Sequence, residues 1–522
     1  MKKLLFIGAL AVSLNMVAQT LPAGDFDPTF GDGGGVLTSV NSGEDRAQAA
    51  ILQEDGKIVV AGYTTSDVSG KDFVCLRYNT DGSLDTSFGT DGISSFDIQV
   101  GSDDIAHSVA LQEGKIILGG YSDDGSKKSA ALIRLNSDGT LDDTFGTDGK
   151  VLTSFLEATA DEIKVVKIHL LTGNIIIGGT AAQTSTNSQG VVARYTEDGE
   201  LDVTFNTTGL KRFSNSSLYG AGTHYTIVED LAVKPNGKIS FAGWGEQQGL
   251  QWSADFLVGR INADGEFDTS FDSDGYRVLN GGFNGNDKLF SLILKSDDGI
   301  IVGGSNYLTA LNYSFVALEM AADGALSSAN QTSANFGDIH NSLAYGMAID
   351  SNDNLVLAGT TGAFNTPTIT NIAVYRADSN YDADTTFGTD GIADATFDDT
   401  VLNEATEVLV QTDDKIVTVG YSGNDIALVR FLGEETLGGD NVELDNASFQ
   451  VYPNPATDFV NINVTNSQFD NADYSMIDIN GRVIMTGTLR AGLNQLNVDT
   501  IAKGMYFVKV KGFSDSFKVI VK

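Results

Sequence analysis

Leu84-Asp85-Thr86-Ser87-Phe88-Gly89-Thr90-Asp91-Gly92 returns almost unchanged as Leu141-Asp142-Asp143-Thr144-Phe145-Gly146-Thr147-Asp148-Gly149. Weaker copies occupy 201–209, 267–275 and 382–391, and an opening copy covers 27–33. A degenerate copy is expected within 326–337, with Phe336 as its aromatic residue. The central phenylalanines, at 30, 88, 145, 205, 271, 336 and 387, are separated by 58, 57, 60, 66, 65 and 51 residues. A period this regular marks a repeat architecture, and the other readings of the chain follow from it.

A second element lies between the copies. AILQEDGKIVVAGY (50–63) is echoed by EGKIILGGY (113–121), GNIIIGGT (173–180), NGKISFAGW (236–244), DGIIVGGS (298–305), DNLVLAGT (353–360) and DKIVTVGY (414–421). Each is an apolar run, an Asp/Asn/Gly turn and a β-branched run, the pattern of a β-hairpin. A third strand is expected after every hairpin, as at 73–78, 131–135 and 191–195, and a short fourth after each Phe-Gly element, as at 93–96. Four short strands per repeat, seven times over, predict an all-β chain with a seven-bladed β-propeller. An open solenoid would need capped ends. Here the first Phe-Gly element and strand 36–40 stand alone, while the last third strand, 426–431, has none after it. The N-terminal strand is thus expected to complete the last blade and close the ring.

These copies resemble the delta-60 repeat family over residues 24–432, and the resemblance implies a propeller without catalytic residues to transfer. Strand parity places the Asp-Gly turns on one face and the variable loops, the usual seat of specificity, on the other.

Residues 433–447 are polar and glycine-rich and read as a linker. The chain from 448 to 522 shows short alternating segments without the repeat, as expected for a small Ig-like β-sandwich. Within it stand Tyr452-Pro453-Asn454-Pro455, Gly481-Arg482, Gly504, Tyr506 and Lys518. This set resembles the type A sorting domain of the type IX secretion system of Bacteroidota. The resemblance implies export across the outer membrane, the secretion machinery as partner, and a secreted or cell-surface location.

Lys2 and Lys3 precede an apolar run and small residues near Ala18, so residues 1–18 are expected to be a secretory signal peptide and 19–432 the propeller. No later run reaches the length of a membrane-spanning helix, so no integral membrane segment is expected after signal removal. The formal net charge of -37 argues against nucleic acid as a partner. The charge belongs to the repeats and linker, since 448–522 holds 7 Lys+Arg against 6 Asp+Glu. One cysteine, Cys75, excludes an internal disulfide and is expected as a buried thiol.

No HExxH, GxSxG, phosphate loop or cysteine pair is present, and His107, His169, His224 and His340 share no spacing, so no catalytic residue is assigned. Asp81/Asp85/Asp91, Asp138/Asp142/Asp148 and Asp264/Asp268/Asp274 suit either Asp-Gly turns or calcium. Tyr63, Tyr121, Trp244 and Tyr421 share one repeat position, read either as inter-blade packing or as an aromatic ring near the variable face. A ligand site is expected on the fourth blade, where loops 214–226 and 245–254 hold Tyr219, His224, Tyr225 and Trp252 beside Trp244. The function expected is a binding module for an extracellular glycan or protein. The rivals are a polysaccharide hydrolase or lyase using loop carboxylates, and a structural surface protein.

Removing residues 448–522 is expected to leave the repeats folded but held in the periplasm. Immunoblots of medium and periplasm check this; normal amounts of truncated protein in the medium contradict it.

Overall fold

The computed structural model describes residues 21–433 and 449–521, except 67, 156–159, 185–186, 215–223, 248–253, 280–285, 310–311, 337–339, 364–368, 453–455, 457–458, 465–470, 479–482, 499–500, 502 and 512–515. The expected signal peptide therefore lies outside the described residues, as does most of the expected linker. Leu21–Glu434 forms one compact unit, and the residues from Glu435 to Lys522 belong to another. Every regular element among the described residues is a β-strand.

In the larger unit the strands fall into antiparallel sets of four. The first sheet is Asp45–Leu52, Ile58–Ser66, Gly70–Tyr78 and Ile93–Phe96. The second is Asp103–Gln112, Lys115–Asp123, Lys128–Leu135 and Lys150–Thr153. The third is Ala160–Ile168, Ile175–Thr184, Asn187–Tyr195 and Leu210–Phe213. His224–Val233, Ile239–Gln247, Ala254–Ile261 and Tyr276–Leu279 form the fourth. The fifth is Lys288–Leu294, Ile300–Thr309, Asn312–Met320 and Leu326–Ala334. The sixth is His340–Ile349, Leu355–Ala363, Asn371–Ala377 and Ile392–Ala395. Asn403–Val410, Ile416–Ser422 and Asp425–Phe431 make the seventh, whose fourth strand is the N-terminal Gly35–Thr38.

The apolar cores lie between neighbouring sheets. Val59, Phe73 and Cys75 of the first sheet pack with Ile116, Leu118 and Ile133 of the second. The series continues around to Val417, Val419 and Leu428 of the seventh, which pack with Ala47, Ile58 and Val60 of the first. Cys75 is fully buried, and burial pushes its thiol pKa up, away from reactivity.

The Phe-Gly element is an inter-sheet staple. In the first sheet Arg77 donates from Nε to Asp85 at 2.8 Å and from Nη1 to the Ser137 carbonyl of the next sheet's turn at 2.6 Å. Its guanidinium covers the Phe88 ring at 4.7 Å. Asp85 also accepts from the Ser87 hydroxyl at 2.7 Å and pairs with Lys57, the lysine of the hairpin turn, at 3.0 Å. The arginine–aspartate–phenylalanine set recurs as Arg134–Asp142–Phe145, Arg194–Asp202–Phe205, Arg260–Asp268–Phe271 and Arg376–Asp384–Phe387. Arg134 and Arg194 also reach a carbonyl of the next turn, whereas both terminal nitrogens of Arg376 are buried without a hydrogen bond. Arg430–Asp27–Phe30 joins residues 403 apart and ties the two ends of the unit together.

The aspartate clusters are thus organised as turns and ion pairs. Asp85, Asp142 and Asp268 face arginine and lysine, while Asp81 and Asp138 receive the Ser83 and Thr140 hydroxyls. The fifth sheet departs from the pattern. Glu319 stands where the others have arginine, bonded to Lys295 at 2.6 Å and to the Tyr381 hydroxyl at 2.7 Å. The expected copy around Phe336 is instead the strand Leu326–Ala334, which pairs directly with Asn312–Met320. Phe336 packs on Phe315 at 4.8 Å, without an arginine to cover it.

The C-terminal unit contains two sheets, Phe449–Tyr452 with Phe459–Val464 and Gly492–Asn497, and Val483–Thr488 with Asp473–Asp478, Gly504–Val510 and Ser516–Val521. Val460, Ile462, Met476, Leu496, Val508 and Val519 form its core.

Burial opposes the charge on Asp142 and Asp268, yet hydrogen bonds from lysine, the neighbouring hydroxyl and arginine hold both carboxyls below the usual range. Their stabilisation is complete at neutral pH and fades as pH falls below about 4, toward the folded-state values. Asp142→Ala strands Arg134 and Lys115 and is expected to cost about 3–5 kcal/mol in urea unfolding at pH 7. A loss under about 1 kcal/mol contradicts the staple.

Candidate functional site

One position of the first strand is bulged in all seven sheets of the larger unit: Gln48, His107, Lys164, Glu229, Phe290, Tyr345 and Thr406 each fall at a register shift. The residue opposite permits it. Gly62, Gly120, Gly179, Gly243, Gly304, Gly359 and Gly420 lie so close to the partner strand that an added Cβ would strike a backbone carbonyl oxygen. A bulge re-aims its side chain, and here all seven bulged residues line one channel of about 910 Å³.

The backbone repeats while the chemistry does not, because the seven bulged side chains are seven different residue types. Phe290 and Tyr345 pack against each other at 5.0 Å, their rings tilted by 59°, and form an aromatic arc. Across the second to fourth sheets lies a charged arc. Lys164 pairs with Glu162 at 2.8 Å and stands 3.5 Å from His107 Nε2. Glu162 also takes Lys128 at 2.6 Å. Glu229 accepts from Trp244 Nε1 at 2.9 Å, and Lys288 lies over the Trp244 ring at 3.9 Å. First strands run from the variable loops to the turns, so the far end of the channel holds apolar Ile51, Leu111, Ile168, Ile293 and Leu409.

Charges in this channel sit among protein on all sides. Burial and Lys164 hold the His107 pKa down to about 3. Burial opposes ionisation of Glu162 too, but Lys164 and Lys128 prevail and bring it to about 2. Burial raises Glu229. Glu404 and Glu407 are only half-buried by surface exposure. Their depth within the ring of strands still pushes each up to about 7, against Arg46 and the Tyr421 hydrogen bond for the first, and against the Val408 amide and Lys167 for the second.

The residues expected to form the fourth-sheet site are divided. Tyr219 and Trp252 lie outside the described residues. His224 is buried on the strand position next to Gln247, and Tyr225 is half-buried opposite Glu246. Trp244 pairs with Ile227, one step out of phase with His224 and Thr226. Strand alternation therefore turns Trp244 toward Lys288 of the fifth sheet and away from the His224 face, where the Thr226 amide meets Ser188 of the third at 3.3 Å. The shared aromatic position clusters with charge: Tyr63 donates to Glu44 at 2.9 Å, Lys128 covers Tyr121 at 3.9 Å, and Arg46 covers Tyr421 at 3.8 Å. Of the sorting residues, Pro453, Asn454, Pro455, Gly481 and Arg482 lie outside the described residues, while Tyr506 is buried in the tail's core. The staple arginines carry no motif in the sequence, and of the bulged residues only His107 stands out there, as a histidine without matching spacing. What signal there is lies in an arginine near the end of the third strand and a glycine at a fixed place in the second.

Four-stranded antiparallel sheets, each built from one repeat, define an all-β protein of the β-propeller class. Residues 53–88, 112–145, 172–205 and 234–271 match the Domain of unknown function (DUF5122) beta-propeller, each match ending on a staple phenylalanine. Residues 450–522 match the Secretion system C-terminal sorting domain. The chain thus carries DUF5122 beta-propeller repeats and a C-terminal type IX sorting domain, which implies the secretion machinery as partner and an exported, cell-surface or secreted location. No curated protein matches the sequence. Solved structures similar to it include the WD40 beta propeller domain of Doa1, at 11% identity and TM-score 0.39, covering 77% of this chain and 98% of that one. PorZ, a surface component of the type-IX secretion system of Porphyromonas gingivalis, aligns at 10% identity and TM-score 0.23 over 91% of this chain and 86% of its own. A glucose dehydrogenase aligns at 10% and 0.37 over 77% of this chain and all 100% of its own. No helix among the described residues is long and apolar enough to cross a membrane.

Glu407 is neutral below its unfolded-state pKa and pays a growing penalty as pH rises toward its folded value of about 7. Glu407→Gln is therefore expected to match wild type in melting temperature near pH 4.5 and to exceed it at pH 8. Equal melting across that range contradicts the placement of Glu407 in a poorly hydrated channel.

Proposed function

We propose that this protein is a seven-bladed β-propeller, residues 19–432, exported behind a signal peptide (1–18) by its sorting sandwich (448–522, after a linker at 433–447), and that it acts as a binding module. Its ligand enters the central channel from the variable-loop mouth. The carrying observation is the bulge with one backbone geometry and seven side-chain chemistries. A packing role would repeat its residue, as the Arg–Asp–Phe staple does. A recognition site diversifies on a fixed frame.

The arcs suggest the ligand class. Phe290 and Tyr345 offer aromatic surface on one side, and Lys164, Glu229 and Gln48 offer hydrogen bonds on the other. An extracellular glycan, with a CH-rich ring face and hydroxyls at its edge, suits that pairing. Engagement of the carboxylates favours binding over hydrolysis: Glu162 is held by two lysines, Glu229 by Trp244 and Glu407 by the Val408 amide.

A polysaccharide array on the purified repeats identifies a ligand, and Phe290→Ala is expected to weaken it about tenfold, roughly 1.4 kcal/mol. Trp252→Ala separates channel from loops. Full affinity in Phe290→Ala with a loss in Trp252→Ala moves the site to the loops of the fourth sheet. An array without any glycan bound contradicts the glycan reading.

A further inference from the structure

Three carboxylates meet where the first and second sheets adjoin. Asp72 belongs to the strand Gly70–Tyr78, Asp97 follows Ile93–Phe96, and Asp104 belongs to Asp103–Gln112. One oxygen from each lies within 4.8 Å of the others. Asp72 is 7% exposed and Asp104 0%. Like charge faces them, since Asp97 acts unfavourably on both.

The hydrogen bonding around the group is incomplete. Asp72 Oδ2 accepts from the Ser69 hydroxyl at 2.6 Å, and Asp97 Oδ2 from the Gly101 amide at 3.1 Å. Asp104 is fixed by the Ile98 amide and the Ser102 hydroxyl, both at 2.6 Å. Oδ1 of Asp72 and Oδ1 of Asp97 are buried and accept nothing from the protein. Buried carboxylate oxygens are costly unless bonded or paired with a cation.

Comparison within the molecule isolates what is special here. Asp45 occupies the same strand position in the first sheet that Asp104 holds in the second. Both its oxygens are filled, by the Val40 and Asn41 amides and the Thr64 hydroxyl. An aspartate at this place therefore needs no ion to be satisfied. The staple aspartates are likewise neutralised by arginine or lysine. Asp72 and Asp97 have been added to a self-sufficient anchor, and the added oxygens are the ones without a partner.

We propose that Asp72, Asp97 and Asp104 bind one divalent cation of the calcium class, pinning the first sheet to the second. All donors are oxygen, which suits a hard cation and disfavours zinc. Oxygens that share one calcium at about 2.3–2.6 Å lie at most about 5 Å apart, as these do. Among the described residues none of the three carboxylates is ion-paired: Lys150 Nζ donates to the backbone carbonyls of Asp97 and Ile98, at 2.8 and 3.2 Å, and not to a carboxylate, which leaves their charge for a divalent ion to neutralise. Asp97, the half-buried member, opens the site to solvent. This site is separate from the Asp-Gly turns, where Asp85, Asp142 and Asp268 are already paired with arginine and lysine.

The test uses the full chain, calcium chloride as probe, and chelator-treated protein as reference. Wild type is expected to retain about one calcium per chain by metal analysis after dialysis, and to melt several degrees higher with calcium than with chelator. Asp72→Asn and Asp97→Asn are expected to lose both the bound ion and the calcium response. In chelator Asp72→Asn should melt at least as high as wild type, because it removes an uncompensated buried charge. A fold lost in Asp72→Asn leaves Asp97→Asn, nearer the surface, to decide. Wild type without bound calcium and without a melting shift overturns the proposal. So does a calcium response that survives in Asp97→Asn, which would place the ion elsewhere.

Discussion

The larger unit depends on an arginine near the end of six of its seven third strands, and Arg77, Arg134, Arg194 and Arg430 are each satisfied from two sheets at once. Arg134 takes its charge partner, Asp142, from its own repeat and its carbonyl partner, Glu197, from the turn of the next. A buried guanidinium left unpaired is strongly destabilising, so a sheet without its neighbour leaves that need unmet. The phenylalanine beneath each guanidinium covers one of its faces. Neighbouring sheets are thus coupled by a polar bond as well as by an apolar core, and the polar bond fixes their relative position more narrowly than oily contact alone.

The fifth sheet shows that the requirement is for satisfied charge rather than for arginine. Glu319 reverses the sign, and Lys295 and Tyr381 supply the complementary groups. Because Tyr381 belongs to the following sheet's turn, the link across the gap survives the substitution. The uneven spacings of 65 and 51 residues are measured to Phe336, which lies beyond the strand Leu326–Ala334 and is no counterpart of the staple phenylalanines; Phe271 and Phe387 themselves are 116 residues apart, two ordinary periods.

Much of this was legible in the chain, and the reason is periodicity. The Phe-Gly element and the hairpin are each dictated by local turn chemistry, so every copy announces itself. Their meeting was not legible: Lys57 of one element and Asp85 of the other are 28 positions apart, and strand pairing alone brings them together. The bulge was harder still. A single extra residue breaks the two-residue alternation that sequence reading relies on, so Lys164 and Glu229 read as ordinary solvent-facing strand residues. Trp244 was found by its repeat position, yet alternation, which a list of nearby residues ignores, set it on the other face from His224. Variation among repeats is informative where the backbone is constant. Applied to the first strand, that rule points to the channel before the loops.

The return of Gly35–Thr38 to Asp425–Phe431 also has a consequence for chain entropy. The partners of this pairing lie at opposite ends of the larger unit, the greatest sequence separation of any described strand pair in it, so the loop that closes there is the longest and the most costly in entropy. Until Gly35–Thr38 is in place, Asp425–Phe431 presents an unpaired strand edge of the kind that recruits other chains. Both ends of the unit must be present together before its last edge is covered.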